Sequence, residues 1–394
     1  MSAEVTLRSI GPSVYLPSLL FGIGQGAIAP VIALSARELG ASVATAGMVV
    51  AVIGLGRIAG DLPAGTLAVR VGERRAMLLA TGLALVALAL CIVATTVWML
   101  ALGIACTGLA TAVWGLARHA YLTEIMPFPL RARALSTLGG MHRIGLFVGP
   151  FLGAATMRFL GTDGAYWVHL VAALLAAAVL RVLPEAPSPE RTLGRDRPHD
   201  SMLHIVRRHV PVLRTLGVGA LILGAVRASR QVVVPLWAEH IGLDPATTSL
   251  IFGISGAVDM LLFYPAGLAM DRIGRSWIAV PSMLILGAAH LLLPLTASAG
   301  ALTAVAMLMG LGNGVGSGLV MTIGSDVSPA VSRAVFLGAW RLFADVGTGV
   351  GPLTVAAVTS LTGLAPAIVT MGAVSGIGAI VMWRWIPRYG RPRQ

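Results

Sequence analysis

Twelve apolar runs, each about long enough to cross a bilayer, follow one another along this chain of 394 residues. They lie at about residues 13–36, 43–69, 76–96, 99–123, 133–157, 164–183, 211–237, 246–270, 276–296, 300–324, 334–359 and 365–386. A helix needs roughly 20 apolar residues to span the hydrocarbon core. Strand-like alternation with turn signals is missing from the sequence, which favours helices over an outer-membrane barrel. We therefore predict an all-α integral membrane protein with twelve transmembrane helices.

The charge pattern supports this class and predicts an orientation. Only 11% of the residues are charged, whereas a soluble domain carries about 25%. The formal net charge is +12, and every basic residue is an arginine. With the N-terminus inside, most arginines between the spans fall on the cytoplasmic side, and only Arg37 and Arg158 fall outside. The positive-inside rule then places both termini in the cytoplasm and the chain in the inner membrane, so the charge indicates topology and no nucleic-acid partner.

The sequence offers no pattern typical of an enzyme. It has no nucleophile–base constellation, no phosphate-binding loop and no cluster with metal-ligand spacing, so neither a cofactor nor a metal is predicted. Cys91 and Cys106 fall in membrane segments and are interpreted as small apolar filler. The N-terminal segment lacks the short apolar region and cleavage site of a secretory signal, so the first run should remain as a helix.

An internal repeat appears when the chain is shifted against itself by 202 residues. Three pairs of segments then align without gaps: "PAGTLAVRVG" at 63–72 with "PAGLAMDRIG" at 265–274, "EIMPFPLRARAL" at 124–135 with "DVSPAVSRAVFL" at 326–337, and "GLFVGP" at 145–150 with "GTGVGP" at 347–352. Shared hydrophobicity alone does not explain aligned Gly, Pro and Arg at one offset. The repeat predicts two pseudo-symmetric six-helix bundles of the same orientation, residues 1–183 and 211–394, joined by a cytoplasmic linker at 184–210. This is an architecture of secondary transporters.

The repeated loop after the second span carries a family motif. The segment "GTLAVRVGERR" (65–75) contains Gly65, Arg70 and Gly72, and here the chain resembles the major facilitator superfamily over essentially its whole length. That family has an acid where this chain has Val69. The second half restores the acid in "GLAMDRIGR" (267–275), with Asp271 followed by Arg272. The resemblance implies a twelve-helix transporter that works by alternating access.

The fifth span carries a second motif, "GLFVGPFLGA" (145–154), which is similar to the signature of the family's drug:proton antiporter branch. Gly145 and Gly149 lie on one helix face that permits close backbone approach, and Pro150 bends the helix. The repeat places Gly351 and Pro352 at the corresponding site of the second half. The motif favours an exporter, and tight helix packing without directional meaning is the alternative.

Several charged residues fall at membrane depth, where each costs roughly 2.5–3.5 kcal/mol at a helix centre and requires a reason. These residues fall into two sets, and the first contains both acidic and basic residues. Under the 202-residue shift Arg57 corresponds to Asp259 and Arg143 to Asp345, and the resemblance implies bridges that pair Arg57 with Asp345 and Arg143 with Asp259. A structural or gating role and a proton-carrying role both remain open for the first set: Asp61, Asp259, Asp345, Arg57, Arg143 and Arg341.

The second set is cationic and polar. Arg227 and Arg230 share one face of the seventh span, and that span places no acid at helical spacing. The resemblance implies that spans 1, 4, 7 and 10 line the transport cavity, and a guanidinium suits carboxylate or phosphate. The alternative is that the arginines snorkel or pair with Asp259 or Glu239. The predicted substrate-cavity residues are Arg227, Arg230, Arg118, His119, Gln25 and Asn313.

These patterns lead to one functional expectation and two alternatives. The first is a monomeric, proton-coupled exporter of an amphipathic or anionic organic small molecule, with protons and the lipid bilayer as its other partners. The second is an importer that takes up a small organic anion together with protons, for which the motif of the fifth span would not be needed. The third, from a different class, is a membrane sensor or scaffold that does not transport.

Overall fold

The computed structural model describes residues 14–126, 128–182, 206–329 and 333–389. Within these ranges the chain is helical, and no strand occurs. Most helix ends fall within a few residues of the predicted spans. The helices of seven or more residues are α1 (Leu16–Ile28), α2 (Ile32–Glu38), α3 (Val43–Val71), α4 (Glu73–Ile92), α5 (Val97–Ile125), α6 (Phe128–Leu160), α7 (Asp163–Val182), α8 (Val218–His240), α9 (Pro245–Ile273), α10 (Ser276–Leu292), α11 (Ala299–Val315), α12 (Leu319–Val327), α13 (Arg333–Thr362) and α14 (Leu364–Tyr389).

Length and apolarity identify most of these helices as membrane spans. Ten segments of the described chain are long and apolar enough to cross a bilayer, and α1 with α2 makes an eleventh if this pair, bent by 42°, is one span. The remaining predicted span is α6, whose apolar stretch is interrupted by His142 and Arg143. The bend lies at residues 29–31, between the end of α1 and the start of α2. It includes Pro30, which lacks the backbone N–H that a continuous helix would use.

The chain forms two compact units. The first contains the described residues of 1–41, 52–195 and 244–253, and the second contains those of 42–51, 196–243 and 254–394. The two short segments that group with the opposite unit, 42–51 and 244–253, are related by the same 202-residue shift as the sequence repeat. Most of the predicted linker (184–210) and the two predicted cytoplasmic termini lie outside the described residues.

In the first unit, α1 packs against α6 and α7, and α4 packs against α5 and α7. The α1–α6 crossing is made by glycine. A methyl group added at Gly145 would lie 2.7 Å from the backbone nitrogen of Ile23. One added at Gly149 would lie 2.8 Å from the backbone carbonyl carbon of Gly26. The predicted smooth face of the fifth span is therefore the face that meets the first span, at backbone-to-backbone distance.

The second unit repeats this crossing with α8 and α13. A methyl group at Gly347, the counterpart of Gly145, would lie 3.0 Å from the backbone nitrogen of Ala225, which is the counterpart of Ile23. Gly351, the counterpart of Gly149, meets the backbone of Ala225. Each half thus uses the same pair of glycines to bring its fifth helix onto its first.

Loop geometry follows the repeat as well. Seven glycines of the described chain have a left-handed φ, and six of them form three pairs separated by 202 residues: Gly40 with Gly242, Gly72 with Gly274, and Gly161 with Gly363. The left-handed conformation is costly for any residue with a Cβ, so each pair marks the same loop turn in the two halves. The seventh, Gly318, has Leu116 as its counterpart.

Helix caps repeat in the same way. The Thr96 side chain accepts a hydrogen bond from the Met99 N–H at the start of α5, and the Ser298 side chain accepts one from the Ala301 N–H at the start of α11. Ahead of α9, hydrogen bonds from the Thr247 hydroxyl and backbone N–H hold the pKa of the Asp244 carboxyl below its ordinary value. These caps satisfy backbone donors that the first turn of a helix leaves without a partner.

The tenth predicted span is broken, which the sequence analysis did not predict. α11 ends at Val315 and α12 begins at Leu319, with Gly318 in the left-handed conformation at φ 78°. The glycine-rich segment "GLGNGVGSG" (310–318) was the available signal. A break frees backbone carbonyls and N–H groups at membrane depth, and such groups are tolerated where protein surrounds them.

The α1–α6 crossing yields a direct test. The Gly145→Leu substitution forces a side chain into the backbone of α1, and overpacking of this kind costs about 1–3 kcal/mol or more. We expect a clear fall in the melting temperature of the detergent-purified protein. Gly139→Leu in the same helix is the matched control, because nothing lies within 4 Å of a methyl group added there. Equal melting temperatures for the two variants would contradict the assignment of this crossing.

Candidate functional site

A polar network joins three helices of the second unit. The Arg227 Nη2 on α8 donates a hydrogen bond to the backbone carbonyl oxygen of Asn313 on α11, at 3.2 Å. The Asn313 side-chain amide donates in turn to Oδ2 of Asp259 on α9. Asn313 therefore links a guanidinium to a carboxylate. Arg227 and Asn313, both predicted to line the cavity, are thus in contact. Asp259, which the sequence analysis named as an alternative partner of the arginines, contacts Asn313 as well.

The break in the tenth span makes room for this network. A methyl group at Gly316 would lie 2.7 Å from Nη2 of Arg227, so the guanidinium occupies the space beside the break. From the other side, the Ser282 hydroxyl on α10 donates to the carbonyl oxygen of Gly312 at 2.7 Å. Glycine at position 316 and a hydroxyl at 282 thus allow α8, α10 and α11 to meet around the end of Arg227.

Arg230 lies one turn further along α8 and is half-buried. Between the two arginines, Ser229 is fully buried and its Oγ lies 3.0 Å from Nε2 of His290 on α10. The other ring nitrogen of His290 lies 2.7 Å from the carbonyl oxygen of Leu286. The sequence analysis did not select this Ser–His pair, because it joins residues 61 positions apart on different helices. It fixes the rotation of α8 next to its two arginines.

The first unit carries the repeat counterpart of the same contact. Gln25 on α1 donates from Nε2 to the Oγ1 of Thr111 on α5, at 2.8 Å. Under the 202-residue shift Gln25 corresponds to Arg227 and Thr111 to Asn313. The same helix–helix junction is therefore neutral in one unit and cationic in the other.

The two predicted cavity residues on α5 point in different directions. Arg118 is buried, with 8% of its surface exposed, and its Nη1 donates to the Ser18 hydroxyl at 3.2 Å. Its guanidinium carbon lies 5.0 Å from the centroid of the Trp114 ring, a cation–π distance. His119 is exposed, and its Nδ1 lies 2.7 Å from the carbonyl oxygen of Gly115 one turn back.

Two of the residues predicted for gating or proton coupling form an ion pair within one helix. Arg341 and Asp345 on α13 form an i,i+4 ion pair with 3.4 Å between Nε and Oδ2. Arg57, Asp61 and Arg143 are half-buried on α3 and α6. The bridges expected between the halves, from Arg57 to Asp345 and from Arg143 to Asp259, stay predictions.

The loop motif is built differently in the two halves. In the second unit Arg275 donates to Asp326 at 2.9 Å and to Asp271 at 3.3 Å, so the restored acid joins a small ion-pair network beside exposed Arg272. Salt bridges at such exposed positions contribute little individually, about 0–1 kcal/mol.

In the first unit, Gly65 and Arg70 lie in the last turns of α3 and Gly72 turns the chain at φ 92°. Arg74 donates from Nε to the carbonyl oxygen of Leu180 at 2.9 Å and from Nη2 to that of Arg181. Where the family's acid is missing, an arginine of this loop therefore caps the C-terminus of α7, a placement that the helix dipole favours.

The helical architecture, the internal repeat and these motifs agree with a comparison to known families. The sequence matches the Major Facilitator Superfamily over residues 14–229 and 216–394. The chain belongs to the Major Facilitator Superfamily. Its relatives are described as transporters and not as enzymes. This Major Facilitator Superfamily protein is accordingly a multi-pass membrane protein and a secondary transporter of a small-molecule substrate.

Its sequence relatives are distant. A probable metabolite transport protein of Bacillus subtilis (strain 168) is 23% identical over 365 residues, which cover 83% of this chain and 73% of the relative. An uncharacterized MFS-type transporter of Mycobacterium tuberculosis (strain ATCC 25618 / H37Rv) is 24% identical over 351 residues, which cover 86% and 83%. The family assignment rests on sequence, and the relatives leave the substrate open.

Solved structures confirm the fold. A bacterial homolog of the human lysosomal transporter Spinster superposes with a TM-score of 0.80 at 14% identity, covering 100% of both chains. The D-xylose-proton symporter gives 0.72 at 17% identity, covering 98% of this chain and 99% of that one. The nucleoside transporter NupG gives 0.77 at 12% identity, covering 96% and 99%. At these identities the likeness concerns the fold alone.

The network through Asn313 makes a quantitative prediction. If Asp259 and Asn313 act as one unit, replacing both with alanine should destabilise the protein by less than the sum of the two single replacements. A coupling of about 0.5–3 kcal/mol is typical for residues in one hydrogen-bonded network. Chemical unfolding of Asp259→Ala, Asn313→Ala and the double variant measures it. Effects that add within about 0.5 kcal/mol would show that the two residues act independently.

Proposed function

We propose that the protein is a proton-coupled exporter of an anionic or amphipathic organic small molecule, and that Arg227, Arg230, Asn313 and Asp259 form the core of its substrate site. It acts as a monomer in the inner membrane with both termini in the cytoplasm. The observation that carries the proposal is the network in which Asn313 contacts both Arg227 and Asp259. It supports a cationic site whose charge is shared with one carboxylate.

The two arginines supply the binding chemistry. A guanidinium presents planar N–H donors that match a carboxylate or phosphate, and hydrogen bonds between charged partners are about twice as strong as neutral ones. Arg227 uses one terminal nitrogen on a backbone carbonyl, which is a weaker acceptor than an anionic oxygen. A substrate carboxylate would offer this nitrogen a stronger acceptor than the carbonyl oxygen.

Asp259 supplies a route to proton coupling. Its carboxylate is joined to the Arg227 end of the site by the Asn313 amide, and it is half-buried on α9. Protonation of Asp259 removes a negative charge beside the arginines, and a bound substrate anion adds one. The site thereby favours either the proton-free carboxylate with no substrate or the protonated acid with the anion, which links the two ligands in one equilibrium. Ligands that favour each other's binding suit symport, so this linkage supports the alternative, an importer of a small organic anion. Export is supported by the motif of α6 alone.

The proposed substrate site is tested by removing its two arginines. We expect the Arg227→Ala/Arg230→Ala variant to lose at least about tenfold in affinity for organic anions, because a charged hydrogen bond contributes about 1.5–3 kcal/mol. Thermal stabilisation of the purified protein by a panel of organic anions and cations measures the effect, followed by transport in proteoliposomes.

Arg207→Ala/Arg208→Ala is the matched control, since both arginines are exposed and precede the same helix. It removes the same charge and should leave anion binding unchanged. Anion binding that persists in the Arg227→Ala/Arg230→Ala variant would reject the proposed site. Stabilisation by lipophilic cations alone, unaffected by either variant, would point to a cationic substrate and a structural role for the arginines.

The direction of transport needs a separate experiment. The glycine–proline motif of α6 favours export, and an anion importer driven by proton symport would use the same arginines. In proteoliposomes with an imposed pH gradient, an exporter moves its substrate against the proton flow, so substrate should accumulate on the acidic side. Accumulation on the alkaline side would establish symport and reject the exporter while leaving the anion site in place.

A further inference from the structure

Two exposed tryptophans lie at one end of the second unit, and neither belongs to the proposed substrate site. Trp277 is in the first turn of α10 and is 72% exposed, and Trp383 is near the end of α14 and is 67% exposed. An indole combines an apolar ring with a polar N–H, and in membrane proteins it is enriched at the level of the lipid headgroups. The position of both residues at a helix end therefore indicates contact with the headgroup region.

The packing of α10 against α14 places the two tryptophans at the same level. A methyl group added at Gly287 would lie 3.1 Å from the carbonyl oxygen of Gly372. The hydroxyl of Ser375, later in α14, donates to the carbonyl oxygen of Met283, earlier in α10, at 2.6 Å, so the helices run antiparallel. The rise per residue is the same in both helices. One tryptophan lies ten residues before Gly287 and the other eleven residues after Gly372, so both reach the same level.

The first unit supports this placement through the repeat. Trp277 corresponds to Arg75 at the start of α4, and Trp383 corresponds to Arg181 at the end of α7. These two helix ends are in contact, because Nη2 of Arg74 donates to the carbonyl oxygen of Arg181. The corresponding ends of α10 and α14 carry tryptophan in place of arginine, so the aromatic pair is a feature of the second unit.

Two arginines follow the second tryptophan along α14. Arg384 and Arg388 lie one turn apart, and both are exposed. The guanidinium carbon of Arg388 lies 4.8 Å from the centroid of the Trp385 ring, and stacking of this kind leaves the N–H edge of a guanidinium available. Within the described residues neither arginine has a hydrogen bond or an ion pair, and α10 and α14 contain no acid. The two acids beside the start of α10 are bound by Arg275.

We propose that Trp277, Trp383, Arg384 and Arg388, the tryptophan–arginine patch, bind the headgroup of an anionic phospholipid of the phosphatidylglycerol type. The guanidinium groups match the oxygens of a phosphodiester, and the indole rings contact the glycerol and the first carbons of the acyl chains. A zwitterionic lipid brings an ammonium group that the arginines repel. Charge complementarity therefore selects the anionic lipid.

This inference is independent of the proposed substrate site, because the patch contains none of its four residues. The patch adjoins the loop motif that precedes α10, which the sequence analysis assigns to the cytoplasmic side. A lipid bound here would come from the inner leaflet. It would tie the end of α14 to the start of α10, and it need not be transported.

The first test compares two lipids on the wild-type protein. Native mass spectrometry of the purified full-length protein in a neutral detergent measures the binding of phosphatidylglycerol and of phosphatidylethanolamine with the same acyl chains. We expect phosphatidylglycerol to bind at least about tenfold more tightly, since each arginine beside an anionic headgroup contributes about fivefold. Equal affinities would overturn the proposal, and this comparison needs no variant. Displacement of the lipid by inorganic phosphate at the same concentration would also overturn it, because it would indicate a site for a free anion.

The charge of the patch is tested by Arg384→Gln/Arg388→Gln. We expect this variant to bind the two lipids with nearly equal affinity, because the positive charge that distinguishes them is removed. Arg207→Gln/Arg208→Gln is the matched control, since it removes the same charge from two exposed arginines of the same unit and should keep the full preference. A preference for phosphatidylglycerol that Arg384→Gln/Arg388→Gln retains in full would reject the patch.

The aromatic pair is tested separately. Trp277→Ala/Trp383→Ala should weaken the binding of phosphatidylglycerol at least about threefold, because an exposed indole contributes its interfacial contact with the lipid. Trp98→Ala is the control, since Trp98 is 85% exposed at the start of α5 in the first unit. An equal loss in both variants would show a general effect of exposed tryptophans and count against this patch.

A second copy of the chain is the other occupant that exposed tryptophans could attract. A symmetric contact would bring two pairs of arginines together, and like charges repel, so the structure favours the lipid. The same spectra report the number of chains. A dimer that dissociates in the arginine and tryptophan variants, with no change in bound lipid, would assign the patch to a contact between copies and reject the proposal.

Discussion

Close approach of helix backbones is the constraint on which both units depend. Inside a bilayer the apolar side chains gain nothing by leaving the lipid for another helix, so association relies on van der Waals contact and on small residues that allow it. Gly145 and Gly149 bring α6 onto α1, and Gly347 and Gly351 do the same for α13 and α8. The arginines of α8 and the polar residues of α1 stand on helices that are positioned by these crossings.

The same junction of the repeat has acquired different chemistry in the two halves. Gln25 with Thr111 is a neutral contact, whereas Arg227 with Asn313 is a cationic one, and the residue that corresponds to Asp259 is Arg57. The second unit thus has an acid, an amide and a guanidinium in contact at this junction, where α11 ends and its counterpart α5 continues. The two halves therefore differ at this junction both in their side chains and in their backbone.

The sequence predicted what periodicity and composition determine. The spans, the 202-residue repeat and the glycine face of α6 depend on local patterns, and the structure has each of them. The antiporter branch, the proton coupling and the bridges between the halves remain predictions. The structure adds contacts that no local pattern encodes: Ser229 with His290, Arg74 with the end of α7, and Asn313 with Asp259. Each joins residues more than fifty positions apart, so it follows from tertiary packing alone.

The break between α11 and α12, at Gly316–Gly318, has no equivalent in the first half of the chain. Under the repeat, Gly316 corresponds to Trp114 and Gly318 to Leu116. A symmetric transporter assembled from two copies of the first half would carry an indole where Arg227 now reaches the backbone, and a leucine where the chain turns left-handed. Such a design would keep its crossings and lose the network of Arg227, Asn313 and Asp259, so the ancestor of the two halves need not have had this network.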